Sequence, residues 1–91
     1  MATPARVRRG EAAELGFSFA AATPAALHVL HVDVVNPSGE TVAWYSGNLL
    51  AREGRASKLV PIAVNDPAGR WEIRVRDLLT GQSKASAIEV Y

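Results

Sequence analysis

From residue 69 to residue 77 the chain alternates without a break. Trp71, Ile73 and Val75 fall on one side, and Glu72, Arg74 and Arg76 on the other. A strand with one dry face and one wet face requires this period of two. Asn65, Asp66, Pro67 and Gly69 stand just before it, and such residues preset or accept turn dihedrals. A turn running into an amphipathic strand is therefore predicted, with Trp71 in the core.

The same period recurs along the chain. Strands are expected at residues 5–8, 12–19, 27–35, 40–45, 56–63, 69–77 and 83–91. In the second, Leu15, Phe17 and Phe19 share a face. In the third, Leu30, Val32 and Val34 oppose Val29, His31, Asp33 and Val35, and so many apolar positions predict a central strand. Asn36-Pro37-Ser38-Gly39 reads as the turn of a hairpin into the fourth strand. Residues 20–26 carry Pro24 among alanines and are expected to form a loop. Ser46-Gly47-Asn48 breaks the pattern, and residues 49–54 follow no clear period. About seven short strands at regular spacing predict an all-β, antiparallel β-sandwich, with a small closed barrel as the alternative.

Composition narrows the function. A chain of 91 residues has room for one domain, here taken as 1–91 with residues 1–4 expected to be disordered. With no cysteine, neither a disulfide nor a thiolate metal site is available. A formal charge of +1 points to no polyanion. Arg6, Arg8 and Arg9 cluster without interleaved aromatics, so nucleic acid is not an expected partner. No stretch reaches the roughly 20 apolar residues of a membrane helix, and the start lacks the apolar centre of a secretory signal. The expectation is a module of a longer, exported or cell-surface chain.

Asn36-Pro37-Ser38-Gly39-Glu40, then Gly54 and Pro61, then Asn65 through Asp77, and Thr80-Gly81 resemble the immunoglobulin-like modules of large bacterial proteins. Macroglobulin-type domains and the accessory sandwiches of glycoside hydrolases are similar. The resemblance spans residues 27–90 and rests on turn and core features. It implies a noncatalytic structural or spacer module that packs against neighbouring domains, with no cofactor. It also makes the third and sixth strands antiparallel neighbours, which would let Arg74 or Arg76 pair with Asp33. The chain departs from antibody-type domains in lacking the cysteine pair, and in carrying Trp71 where a tyrosine is often found.

Few side chains suggest chemistry. His28, His31 and Asp33 include metal-ligating types, but His28 and His31 are three apart and face opposite sides of a strand. Two ligands, His31 and Asp33, leave a site half built, so no metal is expected there. Glu11, Glu40 and Asp66 lie in or beside turns without the dense acidic loop that calcium needs. Asp66 is expected to bond its own turn. Ser46 precedes Gly47 without a nucleophile-elbow frame. Trp44, Tyr45 and Asn48 are the candidate contact residues for a ligand or partner. On a strand one of the two aromatics must face outward beside hydrogen-bonding groups, an arrangement suited to a sugar ring or a protein anchor. A carbohydrate-binding accessory module using Trp44 or Tyr45 is thus the alternative function.

Overall fold

The computed structural model describes residues 1–19 and 27–91. The loop expected at residues 20–26 lies outside them. The fold is all-β: β1 (Arg6–Val7), β2 (Ala12–Ser18), β3 (Leu27–Val35), β4 (Gly47–Arg52), β5 (Arg55–Pro61), β6 (Gly69–Asp77) and β7 (Ser83–Val90), with one 3-10 turn at Ala43–Tyr45. The strands form a single hydrogen-bonded order, β1-β7-β6-β3-β4-β5-β2. All neighbours are antiparallel except β1 and β7. The sheet is therefore mixed, whereas the expectation was wholly antiparallel.

Two features bend this sheet back on itself. β4 and β5 share only the pair Arg52↔Arg55 at their turn, after which β5 diverges to pair along its length with β2. At the other end the N-terminal segment spans the two outer edges. Ala2 exchanges backbone bonds of 2.7 and 2.8 Å with Gly16 of β2, and Arg6–Val7 then run parallel to the end of β7. Ala2 lies in the stretch expected to be disordered, and it is tied down because Gly16 offers an otherwise unpaired strand edge. Strand, turn and strap together give a nearly barrel-shaped whole.

The inward residues form one core. Leu15 and Phe17 of β2, Val60 of β5, Leu30, Val32 and Val34 of β3, and Trp71, Ile73 and Val75 of β6 belong to a single buried cluster. Trp71 is 1% exposed. Its indole Nε1–H donates to the Pro67 carbonyl at 2.9 Å, which satisfies the one polar atom the ring brings inside. The alternation that opens the sequence argument thus has the predicted sense.

The strand expected at residues 40–45 is absent. After the turn, Thr41 makes one bridge with Val35, and the chain then tightens into the 3-10 turn. A helix of three residues per turn brings positions i and i+3 to the same side, and Val42 and Tyr45 are accordingly both buried. Ser46 closes the turn: its hydroxyl donates to the Val42 carbonyl at 2.8 Å and accepts the Val34 N–H at 3.0 Å. The return arm of the hairpin is β4, in the segment that showed no clear period.

Candidate functional site

Three polar clusters decorate this frame. The first is inside. On β3, His28 shares the inward face with Leu30, Val32 and Val34, and the register that sets Leu30 opposite Asp77 puts His28 on the diagonal from that carboxylate. His28 Nδ1 lies 2.5 Å from Asp77 Oδ2, and both residues are buried. An ionised carboxylate only accepts, so Nδ1 carries the proton. Asp77 also takes the N–H of Leu79 at 2.9 Å on its other oxygen, which shapes the β6–β7 turn. Burial pushes the Asp77 carboxyl up, but His28 and the turn N–H groups outweigh it and hold the pKa below the usual value. The Nδ1–Oδ2 bond and the Leu79 N–H on Oδ1 tie the pair into the fold of the β6–β7 turn.

The second cluster lies around Tyr45. Its hydroxyl donates to Asp66 Oδ2 at 2.6 Å, and the same oxygen accepts the Ala63 N–H at 2.8 Å. Asp66 closes its own turn, as expected, and ties that turn to the 3-10 segment as well. Burial first, then the Asp66 carboxylate, raises the Tyr45 pKa. Trp44 lies outside, 75% exposed, with its ring edge-on to Tyr45 at 6.0 Å between centroids. The aromatic facing solvent is thus Trp44. Asn48 does not join it, because it sits on the outward face of β4 opposite His31.

The third cluster covers the outward face of β4, β3 and β6. His31 Nδ1 lies 2.8 Å from Asn48 Oδ1, and Nε2 lies 3.0 Å from Asp33 Oδ1. Two acceptors facing the two ring nitrogens suit the imidazolium. Asn48 first, with Asp33 adding to it, raises the His31 pKa against the opposing effect of desolvation. Asp33 stands opposite Arg74 in the ladder, yet the expected cross-strand pair does not form. Arg74 Nε instead donates to Glu72 Oε1 at 2.7 Å. Leu78 N–H bonds the Val29 carbonyl, so the odd-numbered residues of β3 form the hydrogen-bonded and more widely spaced pairs with β6. Asp33 and Arg74 each find a partner two residues along their own strand. This bond lowers the Glu72 pKa and raises that of Arg74.

With both ring nitrogens of His31 engaged and no hydroxyl bonded to either, this cluster is not a nucleophile–base pair. Among the described residues no group of three or more histidine or acidic side chains comes together to hold a metal ion. No helix among them is long and apolar enough to cross a membrane. At the N-terminal edge the Arg6 and Arg8 guanidinium groups lie 4.4 and 5.8 Å from the Tyr91 ring centroid, which gives two of the three clustered arginines a packing role.

The feature missed in the sequence lies beside His31. Val29 and Leu50 stand directly opposite each other on β3 and β4, outward, with Leu27 two residues along. Leu50 is 60% exposed, and Leu27 and Leu78 are also more than half exposed. The apolar pair Leu27 and Val29 flanking His28 was the available signal. The feature itself shows only once β4 is laid beside them. No protein-family model matches the chain, and no curated protein matches it either.

Proposed function

We propose that the chain is a noncatalytic, immunoglobulin-like sandwich module of a larger, exported bacterial protein, one that packs against neighbouring domains. The observation that carries this reading is the apolar patch of Leu27, Val29, Leu50 and Leu78 on an ordered sheet face. Scattered apolar residues need no explanation, but a contiguous group ringed by charges is the surface that a partner covers. The N-terminal strap, antiparallel to β2 and then parallel to β7, is consistent with a sandwich whose first strand crosses between layers.

Hydrogen exchange on the full-length gene product tests it. Amides flanking Val29 and Leu50 should exchange more slowly in the full chain than in the 91-residue module. Equal exchange in both would remove the packing role. Exposed Trp44 favours the carbohydrate reading as a second choice. Retardation by soluble polysaccharides that Trp44→Ala abolishes without unfolding would move the module to that class. Tyr45, buried and bonded to Asp66, would contribute to such a site only by supporting the Trp44 ring.

A further inference from the structure

The charges around the apolar patch are not balanced. Arg52 stands opposite Leu27 in the β3–β4 register, and Arg76 stands opposite His31 in the β3–β6 register, so both flank the patch. Both arginines are exposed. The two carboxylates of this face, Asp33 and Glu72, lie beyond His31 and already bond His31 and Arg74. Among the described residues neither Arg52 nor Arg76 has a carboxylate within 4.0 Å, although Glu53 follows Arg52 in the turn. The patch therefore has an apolar centre and an uncompensated cationic rim.

A partner that covered the leucines with apolar or basic groups alone would strip water from two guanidinium groups and give nothing back. Such desolvation is unfavourable unless the charge is met by hydrogen bonds in return. Carboxylates placed on either side would instead meet each guanidinium with two parallel hydrogen bonds. Resting on the packing role above, we propose that the occupant of this face is a protein segment with an apolar centre flanked by carboxylates. A second copy of the chain does not fit. Patch on patch would bring the four arginines together, while Asp33 and Glu72 of each copy already bond His31 and Arg74.

Two capped pentapeptides test this, Leu-Trp-Leu flanked by glutamates and the same core flanked by lysines. Each is titrated into the nitrogen-15-labelled module at low salt. The glutamate peptide should shift the amides of Val29, Leu50 and Leu78 and bind about threefold or more tightly than the lysine peptide, the scale expected of one or two exposed ion pairs. The Arg52→Glu/Arg76→Glu double variant should reverse the order. Leu50→Asp should weaken both peptides. Equal binding of the two at this face would overturn the acidic partner and leave the packing role standing. Binding of neither would overturn both. Cosedimentation with phosphatidylglycerol vesicles but not with phosphatidylcholine ones, without a peptide preference, would replace the protein partner by an anionic lipid surface.

Discussion

The two tryptophans separate inside from outside. Trp71 is held by the Pro67 carbonyl and leans on Tyr45 at 6.2 Å between ring centroids, whereas Trp44 is three-quarters exposed. Trp71→Ala should cost about 3–5 kcal/mol, as for other buried aromatics, and Trp44→Ala should stay within roughly 0.5 kcal/mol. Urea midpoints measure both, and equal midpoints would mean that the Trp71 environment is wrong. The buried carboxylate has a different signature. Because its folded pKa is depressed, Asp77 contributes stability that is complete above the ordinary value of about 3.9. The contribution then fades as pH falls through the lower folded value. Asp77→Ala should cost about 1–3 kcal/mol or more at neutral pH, by leaving His28 and the turn N–H groups unpaired. The gap to the parent should narrow in acid. A gap constant from pH 7 to about pH 2 would contradict the assignment. The inward position of Asp77 was legible, since it continues the face of Trp71, Ile73 and Val75. Its partner was not, because strand alternation gives the side of His28 and only the β3–β6 register gives its neighbour.

At the scale of elements, long alternating runs were readable and short compensating ones were not. β2, β3, β6 and β7 lie within a residue of their expected bounds; β2, β3 and β6 each carry three or more inward apolar residues in strict period, and β7 carries Ile88 and Val90. The stretch from Val42 to Tyr45 deceived because Val42 and Trp44 imitate a strand, whereas Val42 and Tyr45 obey the 3-10 period that wins. β4 was obscured for the opposite reason. Its outward Leu50 is as apolar as its inward positions, so no contrast marks the face. The β4–β5 turn contains one strained residue, Glu53 with φ of 54°, followed by Gly54 with φ of 77°. The left-handed region costs a residue with a Cβ about 1–2 kcal/mol, and asparagine tolerates it better than most. Glu53→Asn should therefore raise the melting temperature, with a gain below about 1 kcal/mol. A calorimetric scan decides, and a lower melting temperature would show that the Glu53 side chain holds the turn in some other way.

For the whole molecule, the unresolved demand of an open sheet is its edges, and here one short segment answers for both. The Glu89 N–H bonds the Ala5 carbonyl and the Tyr91 N–H bonds that of Val7, while Ala2 holds β2 and the Thr3 and Ser86 hydroxyls meet at 2.7 Å. Lys84 of β7 reaches across to the Ser18 carbonyl at 2.5 Å, a charge placed where a further strand would have to approach. Unpaired edges template association with other chains, and a covering segment or an edge lysine blunts them. Deleting residues 1–5 should therefore do two things at once. It removes the bonds that join β2 to β7, so the melting temperature should fall. It also bares the β2 edge at Gly16, while Arg6–Val7 still cover β7, so sedimentation velocity should show concentration-dependent association that the parent lacks at the same loading. Ala2→Pro, which deletes a single N–H bond to the Gly16 carbonyl, should lower stability by only about 1 kcal/mol and leave the association state of the parent, since the rest of the strap still covers the edges. A truncated chain that melted and sedimented like the parent would show that the hold of residues 1–5 on β2 is incidental and that Lys84 and the pairing of β1 with β7 protect the edges.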